Sequence, residues 1–239
     1  MLSRGPVSTA LPDLWKPPPP SIVARSLWQP GQAPSPPEPQ HDHTVRALFI
    51  HHTANGDSYG PKDVPEIVRS IYRDHRTRRG WDDIGYHFLV DRYGVIYEGR
   101  LSGVDQAVTG AHTQGFNHET VGVAAIGTFP AGAHVPPAVL EAIARLAAWQ
   151  LGAYGVDPRT RVELTSTNSE SRFPAGTRHP FNAISGHRDA CFTECPGVTL
   201  YALLPQIIEH TADLLRGATP SRTGLPIGSL STPGPAARG

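Results

Sequence analysis

A single α/β domain, with a mixed central β-sheet and about three flanking α-helices, is what the sequence predicts. Three observations predict it. Apolar strand-like runs alternate with amphipathic helical runs through one span, residues 22–217. Proline-rich or small-polar stretches flank that span on both sides. Histidines and a cysteine suited to one metal site lie near its two ends, so a folded core must bring them together.

Residues 1–40 hold eleven of the 25 prolines in this 239-residue chain. Proline fixes φ and removes a backbone donor, so residues 1–21 read as a disordered linker. The island Ile22-Val23-Ala24-Arg25-Ser26-Leu27-Trp28 reads as an N-terminal arm, with residues 30–43 a proline-rich loop within it. Arg46–His52 reads as a buried strand. Asp63-Val64-Pro65-Glu66 supplies a helix start, an acidic N-cap with Glu three residues on. Val64, Ile67, Val68, Ile71 and Tyr72 continue it at helical spacing.

Tyr86–Val90, a Tyr93-Gly94 turn and Val95–Glu98 form the pattern of a hairpin. Thr120–Gly127 is a small-residue buried strand. Pro136-Pro137 opens a second helix that runs to about Ala153 and stops near Gly155. Asp157–Ala183 is polar and mostly loop, with Arg161–Thr165 a short candidate strand. Leu200–Leu215 is a third amphipathic helix. Residues 218–239 are rich in Pro, Gly, Ser and Thr and read as a disordered tail.

Lys plus Arg and Asp plus Glu each number 21, so no basic excess points to nucleic acid. No apolar run approaches the roughly 20 residues that span a bilayer. The start, Met1-Leu2-Ser3-Arg4-Gly5-Pro6, has no apolar leader core. Two localisations follow as expectations: cytoplasmic, or exported by a signal outside this chain. Two cysteines allow one intramolecular disulfide at most.

His51, His187 and Cys195 are ligand types that zinc favours, and three protein ligands leave a fourth tetrahedral position open, as in catalytic sites. Neighbouring strand residues point to opposite faces, so His51 and His52 do not both line one cleft. The residues alone do not choose between them. His187 and Cys195 lie in Gly186-His187-Arg188-Asp189-Ala190-Cys191-Phe192-Thr193-Glu194-Cys195-Pro196-Gly197, a spacing that suits a returning loop. Cys195 has two competing readings, a disulfide with Cys191 or an inert buried thiol; a disulfide would remove the thiolate that zinc needs.

The neighbours of these residues resemble a known family. Phe49-Ile50-His51-His52-Thr53, Gly80-Trp81-Asp82-Asp83-Ile84-Gly85-Tyr86-His87-Phe88 and Gly94-Val95-Ile96-Tyr97-Glu98-Gly99-Arg100 are similar, in order, to segments of zinc-amidase peptidoglycan recognition proteins. These are relatives of the phage lysozyme-amidases. Gly110-Ala111-His112-Thr113, Asn117, Val121-Gly122-Val123 and the Gly186–Gly197 segment continue the match. The Asp157–Ala183 insertion is similar to that of bacterial secreted members.

The resemblance implies zinc held by His51, His187 and Cys195, with His52 packed behind the site. It implies a catalytic Tyr86, with Thr193 at the position that active members fill with threonine or lysine. Non-catalytic relatives commonly lose the cysteine ligand, which this chain keeps. The implied reaction is hydrolysis of the amide between N-acetylmuramic acid and L-alanine; the alternative is a non-catalytic peptidoglycan-binding module. Tyr86 O–H would donate to the developing oxyanion.

Peptidoglycan is a polymer, so an open groove on one face is expected, with Thr53, Ala54, Asn55, Trp81, His112 and Asn117 as walls. His112 and His87 are the candidate proton carriers, with a structural role favoured for His87. Arg188 and Asp189 are a candidate buried pair orienting the His187 loop. The implied partner is the muramyl peptide of peptidoglycan, and a monomer is expected. The proline-rich arm and tail, linkers suited to tethering in a mesh, argue for a secreted or wall-associated location. A cytoplasmic enzyme recycling wall fragments is the alternative.

Overall fold

The computed structural model describes residues 17–29, 36–104 and 106–217. Residues 1–16 of the expected linker, residues 30–35 of the expected loop and the expected tail at 218–239 lie outside the described residues.

The N-terminal island enters as strand β1 (Ile22–Val23) followed by a 3-10 turn at Arg25–Leu27. The apolar run becomes β2 (Ala47–His52), with its first five residues buried. Helix α1 (Val64–Arg73) carries Pro65 in its first turn, where a missing N–H costs nothing. The expected acidic cap does not form. The Asp63 carboxylate accepts the Gly60 N–H at 2.7 Å, while Glu66 pairs with Arg69 and Arg73. A π-turn, Asp74–Arg78, extends the end of α1 and carries the buried His75.

Next come β3 (Phe88–Val90), β4 (Ile96–Glu98), β5 (Thr120–Ala125) and α2 (Pro137–Ala153). The insertion is mostly loop, as expected, and its candidate strand forms as β6 (Arg161–Thr165). The unexpected element is β7 (Arg178–Asn182), which pairs antiparallel with it. Leu164 and Phe181 bury one face of that hairpin, a pairing between distant residues that local polarity hides. The chain ends as β8 (Ile184–Gly186), α3 (His187–Ala190), α4 (Val198–Ala202) and α5 (Leu204–Gly217). The expected single third helix is therefore broken at Leu203. Pro205 lacks an N–H to continue it and restricts the residue before it, so the helix restarts there.

The sheet is mixed and six-stranded, in the order β1-β4-β3-β5-β2-β8, with only β3 and β4 antiparallel. Alternation along β2 assigns its faces. Leu48 and Ile50 join Val121, Val123 and Ala125 beneath α2 and α5, against Ile143, Leu146 and Ile207. Ala47 and Phe49 face the other way and pack with Phe116, Leu164 and Phe181 under the insertion hairpin. His51 is in phase with them.

Farther along that second face, α1 covers Leu89 and Tyr97 with Val64, Val68 and Tyr72. Trp28 joins this cluster and donates its Nε1–H to the Glu98 carbonyl at 2.7 Å. The buried Arg25 forks onto Asp83, with Nη2 2.6 Å from Oδ1, and so ties the arm to the segment leading into β3. Helices thus close one face completely, while α1 and the hairpin leave a gap between them on the other. No helix among the described residues is long and apolar enough to cross a membrane.

Candidate metal centre

The gap is where His51, His187 and Cys195 meet. One ligand atom from each lies within 4.8 Å of the other two. The two imidazole centroids are 4.5 Å apart, and Cys195 Sγ is 3.7 Å from His51 Nδ1. His51 stands near the end of β2, and His187 opens α3 directly after β8, which pairs with β2. Cys195 returns to them because its loop is closed by backbone bonds. The Arg188 N–H donates to the Cys195 carbonyl at 3.0 Å, and the Cys191 N–H to that of His187 at 3.1 Å.

Arg188 and Asp189 are not the expected mutual pair. Arg188 binds Glu194 at 2.6 Å, whereas Asp189 accepts the Gly186 N–H at 2.8 Å and the Tyr201 hydroxyl at 2.6 Å. Gly186 is required here, because a Cβ would fall 2.7 Å from a Tyr201 ring carbon. The disulfide reading is overturned too: Cys191 and Cys195 are both free thiols. Cys191 Sγ faces the Gln114 carbonyl at 3.7 Å, and Cys195 Sγ accepts the His52 N–H at 3.3 Å.

His51 is oriented from behind. Its Nε2 lies 3.2 Å from His112 Nδ1 and 3.3 Å from Thr113 Oγ1, which leaves Nδ1 on the Cys195 side. Partners of this kind fix the tautomer and ring angle of metal-binding histidines. The His112 ring needs Gly122 on β5, where a Cβ would sit 2.3 Å from His112 Cγ. Asn117 secures the loop, its Oδ1 accepting both the His112 and Thr113 N–H groups at 2.8 Å. Thr113 escapes sequence reasoning, although it adjoins His112 in a matching motif.

Burial sets the protonation states. It depresses His51 and His112 well below the usual imidazole range, with neighbouring histidines adding to the effect, and lowers His187 to about 4. It pushes the Cys195 thiol up to about 12. The imidazoles are therefore neutral near pH 7 and ready to coordinate, while the thiol has to lose its proton to a cation's field. Two neutral imidazoles and one sulfur are a donor set that fits zinc.

Tyr86 flanks the cup, with its ring centroid 5.3 Å from that of His51. Gly85 before it allows close passage, since a Cβ there would meet the Ala111 carbonyl at 2.3 Å. His75, also absent from the sequence reading, accepts the Gly85 N–H at 3.0 Å and packs on both Tyr86 and Trp81. Burial, then the neighbouring Cys195, raises the Tyr86 phenol well above its ordinary value, so it is protonated at neutral pH.

His87 faces away from Tyr86. It accepts the Gly122 N–H at 3.0 Å and donates to the Val108 carbonyl at 2.7 Å. With both ring nitrogens bound to backbone, it has none left to carry protons. His52 is half-buried behind the cup, with Nδ1 unpaired.

The cup opens into a cleft of about 460 Å³. Trp81, His112, Asn117 and Thr193 line it along with His187, and Thr193 Oγ1 accepts the Cys195 N–H at 3.2 Å. Thr53, Ala54 and Asn55 are not part of that lining. Ala54 adopts a left-handed φ of 58° and turns the chain back toward β5. Gly127 N–H then donates to Thr53 Oγ1 at 3.0 Å, and Thr128 Oγ1 to the Asn55 carbonyl at 2.8 Å. Arg79, Gln114, Glu170 and Phe192 also line the cleft and are not anticipated by the sequence. Glu170 and Gln114 belong to segments that meet only in three dimensions.

Two imidazoles and a sulfur converge on a mixed sheet beside an open cleft that His187 lines, and so define an α/β domain with a three-donor cup suited to a metal ion. The chain belongs to the N-acetylmuramoyl-L-alanine amidase family, whose match covers residues 41–198. It is 31% identical over 179 residues to a peptidoglycan-recognition protein of Drosophila melanogaster, covering 75% of this chain and 82% of that protein. It is 32% identical over 164 residues to the human N-acetylmuramoyl-L-alanine amidase, covering 66% of this chain but only 23% of that one.

Among solved structures, Drosophila PGRP-LB is similar with a TM-score of 0.58 and 27% identity, over 76% of this chain and 91% of that one. Peptidoglycan recognition protein LE in complex with tracheal cytotoxin, a monomeric diaminopimelic acid-type peptidoglycan, gives 0.59 and 28%, over 77% and 92%. The two sequence relatives, one a named recognition protein and one a named amidase, are both animal proteins.

Proposed function

We propose that this protein is a zinc-dependent amidase that cleaves the bond between N-acetylmuramic acid and L-alanine in peptidoglycan. The convergence of His51, His187 and a free Cys195 within 4.8 Å, beside an open cleft that His187 lines, carries this reading. Those three residues would hold zinc, which when bound would supply Lewis-acid polarisation of the carbonyl and a water of pKa ~7. The chain's own groups do the rest. Tyr86, kept protonated by burial, donates its hydroxyl hydrogen where negative charge develops on the carbonyl oxygen. Thr193 accepts the Cys195 N–H and keeps its own hydroxyl hydrogen free to donate beside Tyr86. His112, Thr113 and Asn117 hold the His51 ring in place. Trp81 forms a wall for the stem peptide.

A wall substrate argues for a secreted or wall-associated location, which cell fractionation tests. The reaction is tested by following release of stem peptides from muropeptides, with metal content measured on the same samples. Activity is expected to vanish on zinc removal and return on reloading. Undiminished cleavage after verified removal overturns the proposal. Binding to cell walls without release of stem peptides makes the protein a recognition module instead.

A further inference from the structure

The cleft continues past the metal cup to a place where the insertion hairpin contributes to its wall. Phe192 is 77% exposed, the most exposed large apolar side chain among the described residues, yet it is not loose. Arg172, from the loop between β6 and β7, lies over one face of the ring at 4.7 Å. That guanidinium is itself held in place, its Nε–H donating to the Arg188 carbonyl at 2.8 Å and the Cys191 carbonyl at 3.0 Å. The Arg172 N–H adds a bond to the Ala190 carbonyl at 2.8 Å. The outcome is a braced aromatic plate with one face covered and the other open.

Beside it in the same cleft, the Gln114 side-chain amide donates to the Glu170 carboxylate. Glu170 thus takes a neutral amide as partner and keeps acceptor capacity facing the cleft. Charge decides what this corner accepts. The electron-rich ring already has a cation on one face, so a second cation on the opposite face meets both a depleted π-cloud and a like charge. A neutral ligand with an apolar face and a polar edge suits it better. A pyranose ring has that form: C–H groups lie flat on an aromatic plate, and hydroxyl or acetamido groups reach the edge where Glu170 and Gln114 wait.

We propose that Phe192, Glu170 and Gln114 form a sugar subsite that seats a second pyranose of the glycan strand, so that ligands with two sugars are preferred over a lone muramyl peptide. This rests on the amidase reading, because it assigns the remainder of that cleft.

The test is equilibrium binding of two muropeptides with the same stem peptide, one carrying N-acetylmuramic acid alone and one carrying the N-acetylglucosaminyl disaccharide. The full chain is used with zinc loaded and with zinc removed, the second arm excluding turnover. The disaccharide ligand is expected to bind about tenfold more tightly, the scale of one well-seated ring. Phe192→Ala is expected to cost the two-sugar ligand about tenfold more than the one-sugar ligand, which removes the preference. Phe192→Trp retains it, and Glu170→Ala reduces it partway.

Equal affinities in the unaltered protein overturn the subsite. So does a Phe192→Ala loss that falls equally on both ligands, or a preference that follows acetylation of a stem-peptide amine. If neither muropeptide binds, the amidase reading fails and the subsite with it. Cleavage of both without a two-sugar preference sinks the subsite alone.

Discussion

The two faces of β2 are made by alternate residues of one strand and have opposite characters. Leu48 and Ile50 lie under α2 and α5 in a continuous apolar cluster with no exposure. One residue out of phase, His51 lies among His112, Thr113, Tyr86 and His187. The first face stabilises through buried area, where each residue adds an amount similar to its neighbours. The second depends on a few directed contacts around a cavity left between α1 and the insertion hairpin. A site with desolvated imidazoles and a buried thiol is costly in itself, and the helix-covered face supplies the stability that keeps it formed.

Substitutions should separate these two characters. The largest effect is expected from Cys195→Ser, which removes the sulfur donor. Zinc content by elemental analysis should fall to background and amide cleavage with it, while the circular dichroism spectrum stays native; a zinc-replete, active variant would break the comparison. Tyr86→Phe should reduce turnover by about 10²–10³, the scale of one oxyanion donor, with zinc content unchanged. An unaltered rate would remove its assigned role.

On the covered face, Ile50→Ala should destabilise by about 2–5 kcal/mol in urea melts through the cavity it leaves. Zinc affinity per folded molecule should not move, so a parallel loss of affinity would show that the faces are coupled. Acid should act on the histidine side. His75 and His87, both lowered to about 4 by burial, refuse protons that the unfolded chain binds below pH 6.5. Stability is therefore full above pH 6.5 and falls as pH drops toward 4, by about 1.4 kcal/mol per unit for each group. Urea midpoints at pH 7, 5.5 and 4.5 measure it, and a flat series contradicts it. The smallest effect is expected from Thr113→Val, which removes one partner of His51 Nε2 and should weaken zinc binding by about 10–100-fold without abolishing it. A competition titration reads the change.

Legibility in the sequence follows the range of the interactions. β2, β5, α1 and α2 are readable because a strand's or helix's burial repeats at its own period. In the insertion β6 is readable as well, but its partner β7 is not, because Phe181 is buried by Phe49, Phe116 and Leu164 from other elements rather than by a pattern along its own strand. The third helix reads too long when its apolar spacing is given more weight than Pro205. Of the expected walls, Trp81, His112 and Asn117 line the cleft, whereas Thr53 and Asn55 are turned toward β5 by a left-handed Ala54 that no pattern marks.

The chain by itself determined the family, the α/β class, and which donors were available: imidazoles and a thiol near the two ends of one span. Local chemistry and motif order are written residue by residue. Only the tertiary structure decided that both cysteines stay free, that Thr113 and His112 back His51, and that Phe192 stands braced beside Glu170. Those are distances between segments far apart in the chain, set by how the sheet and hairpin close around the cleft.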